Sequence, residues 1–465
     1  ASEQGYPYAN HEGGRIEGRV ADEILMGPPR LPRGRPGKPL TILGVACTTL
    51  ANHSACIVQD GVVVAAIQEE RIRRRKQLGW HPPGRPEDTV VSDSALPLSR
   101  CQPNRSIESV LAMTGLSMED IDCIAYNGVP ARWFPTYSLR DPNNPPRTVR
   151  FGREIFIPHH LTHAASAYRV SGMDQAFVFT VDGRGERETA GFFESDDRGA
   201  LHRVFDIRCN EDSLIGGVYE FITTILGFGH YGQGSTMGLA AMGRPTMDLS
   251  RWLSARSRHD YSIHDTGIMD AFGHLARERG AKMKREHVEL AASIQYALEE
   301  AVLNLIEDGL GGRPAKNLCL AGGVALNCSM NQRIRAAFDV ENIFVQPGAH
   351  DAGTSVGAAL EAHWEITGER GVGTMTNAYW GPGYTDAEIE ETLKAFHLPV
   401  DRRPDIASEV AERLVEGEVV CWFQGRMEFG PRALGARSIL ADPRSVEIKD
   451  HVNRLKGRQK WRPFG

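Results

Sequence analysis

Short apolar runs separated by turn residues fill the first half of the chain, a pattern typical of β-strands. Three runs follow one another at Thr41–Ala46, Ser54–Gln59 and Val62–Gln68, the last two joined by the hairpin turn Asp60-Gly61. A second triplet, with little identity of sequence to the first, covers residues 176–181, 189–194 and 201–207. The pattern therefore predicts a structural repeat of the form strand-turn-strand-turn-strand.

Longer stretches with apolar residues at helical spacing predict helices between and after these strands. They cover residues 107–114, 218–226 and 287–308, and Gly309 is the expected C-cap of the last one. Single further strands are predicted at residues 121–126, 316–320 and 343–346.

The α/β superfold of actin, heat-shock chaperones and sugar kinases, called the ASKHA fold, contains two such strand units that face each other across a cleft. We therefore expect a two-lobed ASKHA domain over residues 39–372, with turns that can meet nucleotide phosphates from both sides. Residues 1–38, rich in turn formers, are expected to form a flexible extension. The glycine-rich stretch 371–383 is expected to be a linker to a further unit at residues 373–465. In that unit, residues 386–396 and 406–415 are predicted helices and residues 419–423 a strand.

Two histidines and two aspartates are candidate metal ligands. Pro158 can open a helix in which His159 and His163, four residues apart, share one face. The apolar run before Asp182 predicts a buried strand that delivers this carboxylate at its end, and Asp351 follows another predicted strand. Helical histidines at this spacing can instead lie on a solvated surface, and an isolated Asp more often caps a helix. The four residues together favour a metal site.

A glycine pair and a basic stretch are candidate anion sites. The predicted strand 316–320 runs into Gly322 and Gly323, and the helix start near Asn327 would leave exposed amides for a phosphate or ribose, although a plain tight turn has the same pattern. From residue 432 to residue 462 there are nine Lys or Arg against three Asp or Glu. Because apolar residues and glycines are interleaved with these arginines, a phosphate-binding segment is favoured over a solvated basic face. The candidate anion-binding residues are Arg432, Arg437, Arg444, Lys456 and Arg458.

Composition narrows the class of protein and of partner. The formal charge of −6 gives no overall reason to bind nucleic acid or an anionic membrane, so small molecules are the expected partners. No apolar run is long enough to span a bilayer, and the N-terminus lacks the apolar core of a signal peptide, so we expect a cytoplasmic protein. The eight cysteines form no CxxC pair, which argues against zinc fingers and a disulfide framework.

Five blocks of sequence carry a family resemblance that extends from about residue 40 to the last residue. In their order along the chain, the blocks are residues 159–186, 237–240, 322–327, 347–357 and 430–444. Together they resemble the O-carbamoyltransferases of nodulation-factor and antibiotic tailoring.

The resemblance implies two modules. The first is similar to the threonylcarbamoyl-transferase catalytic domain, with Fe(II) or a similar divalent ion held by His159, His163, Asp182 and Asp351. The second is similar to an α+β YrdC-like domain, in which carbamoyl phosphate and ATP, with Mg²⁺, form carbamoyl adenylate and pyrophosphate. The carbamoyl group would then pass to a hydroxyl of a small acceptor such as a glycosylated or polyketide-like antibiotic. Because the family continues beyond its last motif, the second module is expected to be incomplete at its C-terminus.

Catalytic candidates also come from the resemblance, together with three departures from the family pattern. His53 is the candidate general base, but its block contains Ser54 where the family has Asp. Lys76 is the second catalytic candidate, and Gln77 follows it where the family has His. Ser235 lies near the position of a usual Lys.

Two other functions fit the same fold. Transfer of threonylcarbamoyl to tRNA is disfavoured by the negative charge and by the second module. A nucleotide-gated binding module of the heat-shock chaperone or actin class would leave the four candidate metal ligands without a role.

Overall fold

The computed structural model describes residues 37–47, 52–74, 104–128, 148–183, 185, 188–208, 214–229, 231–371 and 373–463. Except for residues 37 and 38, the expected N-terminal extension lies outside these ranges, as does the catalytic candidate Lys76 with its neighbour Gln77. Within them, no helix combines the length and the apolar composition needed to cross a lipid bilayer.

The strands are numbered in chain order: β1 (Thr41–Ala46), β2 (Ser54–Gln59), β3 (Val62–Gln68), β4 (Cys123–Tyr126), β5 (Val149–Phe151), β6 (Glu154–Phe156), β7 (Phe177–Val181), β8 (Glu188–Ser195), β9 (Leu201–Arg208), β10 (Leu253–Ser257), β11 (Asp260–Ile263), β12 (Asn317–Ala321), β13 (Asn342–Val345), β14 (Val420–Phe423) and β15 (Arg437–Leu440). The α-helices are α1 (Glu69–Arg73), α2 (Asn104–Thr114), α3 (His159–Tyr168), α4 (Ile215–Ile225), α5 (Gln233–Ala240), α6 (Ile268–Phe272), α7 (Arg285–Leu310), α8 (Cys328–Phe338), α9 (Gly353–Thr367), α10 (Asp386–Ala395), α11 (Ile406–Val415) and α12 (Val446–Leu455).

Two sheets share one topology. The first has the order β3-β2-β1-β4-β6-β5, in which β1, β2 and β3 are antiparallel and β4 and β6 run parallel to β1. The second has the order β9-β8-β7-β12-β13, with β7, β8 and β9 antiparallel and β12 and β13 parallel to β7. Among the described residues, the first sheet differs by one additional strand, the antiparallel edge strand β5. This repeated strand order confirms the predicted two-lobed ASKHA fold.

Two helices each follow a strand of one lobe, pack on the sheet of the other lobe and so join the lobes. Helix α3 follows β6 of the first sheet and packs on β7 and β12 of the second. Helix α9 follows β13 of the second sheet and packs on β1, β2 and β4 of the first, and the two helices also contact each other. At their crossing a Cβ on Gly357 would overlap the carbonyl oxygen of Thr162, so only glycine allows the backbones to approach this closely.

A buried ion pair supports the same crossing. The Arg169 guanidinium, just after α3, lies 2.7 Å from a carboxylate oxygen of Glu361 on α9. Arg169 also donates to the carbonyl oxygen of Gly199, so the charge is both paired and hydrogen-bonded.

The predicted end of the long core helix is wrong by two residues. Helix α7 continues through Gly309 to Leu310, and Gly311 caps it in the left-handed conformation. Gly309 is required by packing instead, because a Cβ there would lie 2.6 Å from the ring of Phe192. A glycine near a helix end thus marks a close contact here rather than the cap.

The stretch predicted as a linker is packed against both of its neighbours. Met375 N–H donates to the carbonyl oxygen of Val170, and Trp380 accepts at its carbonyl from Ala66 N–H of β3. On the other side, Phe429 N–H donates to the carbonyl oxygen of Ala378. This segment therefore attaches the C-terminal unit to the first lobe.

The C-terminal unit contains both predicted helices, found at α10 and α11, followed by the β14–β15 hairpin and α12. A Thr385 capping box begins α10 and the Asp405 side chain caps α11, which explains why these boundaries could be read locally. All residues of α10 are described, and none of them is buried. The α+β character agrees with the expectation, and a YrdC-like domain at residues 373–465 stays a prediction.

The crossing of α3 and α9 leads to a stability prediction. Gly357→Ala should lower the free energy of unfolding by about 3 kcal/mol, because the new methyl group must push the two helices apart. The matched control is Gly373→Ala, whose Cβ would be 3.8 Å from its nearest neighbour. Urea denaturation measures both, and equal midpoints for the two variants would contradict the packing argument.

Candidate functional site

The two candidate histidine ligands lie side by side at the start of α3. The helix begins at His159 directly after Pro158, so His159 and His163 point the same way one turn apart. Both side chains are buried, and their Nε2 atoms are 3.1 Å apart. The predicted helix and its shared histidine face are therefore present.

Two parallel strands bring the aspartates to the histidines. Asp182 follows β7 and Asp351 follows β13 through a short turn, and β12 separates these strands in the sheet. His159 Nε2 lies 3.4 Å from Asp182 Oδ2 and 3.6 Å from Asp351 Oδ1. His163 Nε2 lies 3.5 Å from each of the same two oxygens.

The donor set fits a divalent transition-metal ion. An ion about 2.0–2.2 Å from each N and O ligand places neighbouring ligand atoms about 3–3.6 Å apart, and the four ligand atoms all lie within 4.8 Å of one another. Among the residues described, no hydrogen bond reaches the buried Oδ1 of Asp351, which leaves this atom available as a ligand. A ligand set of two imidazoles and two carboxylates suits Fe, Mn or Zn, and it contains no thiolate of the kind that softer metal ions prefer.

The charges of the cluster attract a cation. Burial opposes the charged form of Asp182, but hydrogen bonds from His159 and His163 outweigh it and hold the pKa of this carboxyl well below its usual range. Burial also disfavours a charged His163, yet the two carboxylates raise its pKa to about 9. The Asp182 carboxylate therefore stays ionised and places a negative charge at the shared face of the histidines.

Asp351 does not act as a helix cap in the described structure. Ala352 is the N-cap of α9, and no side chain of the described residues caps this helix. The hydroxyl of Thr354 donates to the main-chain carbonyl oxygen of Asp351. The carboxylate of Asp351 faces the histidines instead. This observation favours the metal interpretation over capping.

The neighbouring His160 supports the cluster from outside. Its Nε2 lies 3.1 Å from the carbonyl oxygen of Glu188, which can only accept, so Nε2 carries the proton. Its Nδ1 is 2.8 Å from the hydroxyl of Thr180, and burial keeps the pKa of this imidazole well below its usual value. A neutral His160 thus fastens α3 to β7 and β8. The sequence offers no signal that separates it from the two candidate ligands beside it.

The glycine pair lies against the same centre. A Cβ on Gly322, whose φ is +93°, would overlap the carbonyl oxygen of Val181, so the turn passes directly over the end of β7. Gly323 N–H donates to Asp182 Oδ1 at 2.9 Å, which leaves Oδ2 for the metal face. Asn327 caps α8 by accepting from Met330 N–H and exchanges hydrogen bonds with Gln295. Nucleotide binding by Gly322, Gly323 and Asn327 stays a prediction.

The candidate base His53 is buried beside the first strand pair. Its carbonyl accepts from Glu69 N–H at 2.9 Å. The hydroxyl of Ser54 lies 2.6 Å from the carbonyl oxygen of Ala352, the residue after Asp351. Ser54 therefore fastens the start of β2 to the loop that carries Asp351. The role of His53 as base stays a prediction.

The basic candidates fall into two groups. Arg437 donates to backbone carbonyls and lies 3.4 Å over the ring of Phe423, and Arg444 pairs with Asp442. Arg432 and Arg458 have no carboxylate within 4 Å in the part of the chain that the structure describes, and Lys456 is exposed. The anion contacts of these five residues stay a prediction.

Arg462 joins Arg432 and Arg458 and was missed by the sequence reasoning, although it belongs to the same basic stretch. Burial, followed by repulsion from Arg458 and Arg432, lowers the pKa of Arg462 to about 10. Its guanidinium reaches the hydroxyl of Ser235 on α5 of the second lobe at 3.3 Å. This repulsion indicates that the three guanidinium groups lie near one another, and their combined positive charge suits an anion.

Glu428 organises the loop that carries Arg432, and it too was missed. Its buried carboxylate accepts from the backbone N–H groups of Leu434, Ala436 and Arg437. Burial opposes its charge, but these hydrogen bonds hold its pKa below the usual value. These three hydrogen bonds therefore hold the backbone of residues 434–437 around one carboxylate.

Comparison with known proteins gives matches along most of the chain. The family model described as "Carbamoyltransferase N-terminus" matches residues 146–360, and the one described as "Carbamoyltransferase C-terminus" matches residues 411–465. Nodulation protein NolNO of Sinorhizobium fredii is 34% identical over 90% of this chain. The uncharacterized protein sll1178 of Synechocystis is 33% identical over 91% of this chain. The chain spans 62% of the length of NolNO and 74% of that of sll1178.

Similarity to solved structures is weaker. The activator of 2-hydroxyisocaproyl-CoA dehydratase from Clostridium difficile, solved with bound ADPNP, has 17% sequence identity and a TM-score of 0.42. The match covers 70% of this chain and 95% of that one. The repeated strand order of the two sheets, rather than this similarity, identifies the fold.

The ligand cluster predicts a bound metal. The protein loaded with Fe(II) should keep about one ion per chain, and His159→Ala or Asp351→Ala should lower metal affinity at least about tenfold, because each removes a ligand. The control is His202→Ala, an exposed histidine that contacts only Asp196 among the described carboxylates. Elemental analysis after gel filtration measures the content. An unchanged content in both ligand variants would contradict the assignment.

Proposed function

This chain belongs to the carbamoyltransferase family, and from that premise we propose that it is an ATP-dependent O-carbamoyltransferase. It takes the carbamoyl group of carbamoyl phosphate, activates it as carbamoyl adenylate and transfers it to a hydroxyl of a small acceptor. The observation that carries the proposal is the centre formed by His159, His163, Asp182 and Asp351 at one edge of the second sheet. A nucleotide-gated binding module would have no use for this centre.

The positive site at Arg432, Arg458 and Arg462 supports the activation half. Carbamoyl phosphate and ATP both present phosphate oxygens, which guanidinium groups recognise through paired hydrogen bonds. Mutual repulsion of the three guanidinium groups is relieved when an anion lies among them. The reaction consumes one water molecule. Carbamoyl phosphate releases its phosphate as orthophosphate, and ATP, bound with Mg²⁺, releases pyrophosphate.

The second half takes place at the four-ligand centre. When bound there, Fe(II) or a similar divalent ion supplies positive charge that polarises a carbonyl or phosphoryl oxygen. His53 is the proposed acceptor of the hydroxyl proton. The contact of Ser54 with Ala352 holds the strand that follows His53 beside the loop of Asp351, so base and centre share one anchored edge.

The proposed scheme also includes a contact for the nucleotide and a class of acceptor. The turn at Gly322 and Gly323 lies over Asp182 and is the proposed contact of the adenylate moiety. Carbamoyl adenylate is a mixed anhydride that water would hydrolyse, so transfer within the protein protects it. The proposed acceptors are hydroxylated natural products of the antibiotic type, glycosylated or polyketide-like. Both co-substrates are cytoplasmic metabolites, which makes the cytoplasm the proposed location.

Pyrophosphate release tests the first half-reaction. With ATP, Mg²⁺ and carbamoyl phosphate but no acceptor, the protein should release pyrophosphate, measured by a coupled enzymatic assay. Arg432→Ala should lower the rate at least about tenfold, because it removes a charge-assisted contact to phosphate, whereas His159→Ala should change it less than about threefold.

The control is Arg413→Ala, since this arginine is paired with Glu409 on the surface of α11. It should release pyrophosphate at the wild-type rate. No release from the wild-type protein would overturn the adenylate proposal. Equal losses in Arg432→Ala and His159→Ala would contradict two distinct half-reactions.

A further inference from the structure

The carboxamide of Gln68, the last residue of β3, lies between the two loops that the proposed function uses. Its side chain is buried, with 1% of the residue exposed. Its Nε2 is 3.1 Å from His350 Nε2, and its Oε1 is 3.2 Å from Gly430 N. His350 directly precedes the candidate ligand Asp351, and Gly430 begins the loop that carries Arg432.

The donors around this side chain fix its orientation. Gly430 N–H and Arg71 Nε–H can only donate, so the carboxamide oxygen must face both of them. The carboxamide N–H₂ group then faces His350, whose Nε2 accepts the hydrogen bond. Gln68 thus connects one loop through its oxygen and the other through its nitrogen.

The peptide of Gly430 is held on its other side too. Its carbonyl oxygen accepts from the guanidinium of Arg71 at the end of α1. With φ at +112°, Gly430 has a backbone that other residues rarely adopt, and a Cβ there would lie 2.6 Å from the carbonyl oxygen of Pro347. The two loops are therefore in direct backbone contact, and Gln68 and Arg71 clamp that contact.

A buried clamp of this kind transmits displacement. If the loop that carries Arg432 shifts, either Gly430 N–H or His350 Nε2 must lose its hydrogen bond to Gln68. A buried polar group without a hydrogen-bond partner is unfavourable by about 1–3 kcal/mol. Gln68 makes both hydrogen bonds when Asp351 and Arg432 are in their ligand-binding positions. The arrangement with both loops in these positions is therefore preferred. A ligand that stabilises one loop then favours the binding form of the other.

We propose that Gln68 is a positioning residue that couples the metal centre to the anion-binding loop, so that an anion at Arg432 tightens metal binding at Asp351 and the reverse. The inference rests on the proposed function and adds to it an energetic connection between the two half-reaction sites. Gln68 need not touch a substrate for this role. In the sequence it is only the polar end of an apolar strand.

The test measures this coupling in the whole protein with simple probes. Mn²⁺ binding is followed by electron paramagnetic resonance, with inorganic phosphate or with chloride at the same ionic strength. In the wild type, phosphate should lower the dissociation constant for Mn²⁺ at least about fivefold, and Mn²⁺ should lower that for phosphate by the same factor. In Gln68→Met, which keeps the length of the side chain but removes its hydrogen bonds, the factor should fall below about twofold.

Two further variants separate coupling from stability. Gln59→Met is the matched control, because Gln59 ends the neighbouring strand β2 away from both loops and contacts Thr41. It should keep the full wild-type factor. Arg71→Met removes the contact to the Gly430 carbonyl but leaves Gln68 on His350, so an intermediate factor is expected. Thermal unfolding of each variant verifies that it is folded.

The outcomes distinguish failure of the coupling from failure of the proposed function. A wild-type protein that binds Mn²⁺ and phosphate independently overturns the coupling and leaves the proposed function standing. Full coupling in a folded Gln68→Met variant overturns the role of Gln68, since phosphate then acts on the ion directly. A wild-type protein that binds no Mn²⁺ overturns the proposed function and the coupling together.

Discussion

The close crossing of α3 and α9 is the contact on which the rest of the structure depends. Each helix leaves one sheet and packs on the other, so the crossing joins the lobes and also supports the candidate metal ligands. The absent side chain of Gly357 lets the helix backbones touch, and Arg169 with Glu361 adds a buried charge pair at the same joint. If the helices moved apart by the width of a methyl group, the histidines at the start of α3 would leave the carboxylate of Asp351 just before α9.

Around this joint, polar groups are satisfied in a way that leaves four atoms for an ion. Gly323 N–H uses one oxygen of Asp182, and His160 uses both of its nitrogens on β7 and β8. What remains at the shared face are two imidazole nitrogens and two carboxylate oxygens at ligand spacing. Fixed supports of this kind keep ligand atoms in place, which is the usual requirement for tight binding of one metal.

The C-terminal unit contacts both lobes, and its positive residues lie close in sequence to those contacts. Gly430 is clamped to β3 and α1 of the first lobe, whereas Trp461 donates from its indole N–H to the carbonyl oxygen of Ser235 on α5 of the second. Arg432 follows the first contact by two residues, and Arg462 adjoins the second. Separation of the lobes would therefore strain one contact or the other.

The sequence by itself determined the strand triplets, the helix that places His159 and His163 on one face, and the starts of α10 and α11, which Thr385 and Asp405 cap in the structure. Each of these depends on residues within a few positions, where hydrophobic period and side-chain hydrogen bonds to the nearby backbone decide the conformation. The sequence named Asp182 and Asp351 as candidates for one site, but only the tertiary structure decided that they meet at ligand spacing. Only the tertiary structure, too, decided that Arg444 is paired while Arg462 joins Arg432, and that Gln68 links two distant loops. Such partners are set by parallel strand pairing and by burial, which no local pattern encodes, because a buried polar group takes whichever partner the packing brings within reach.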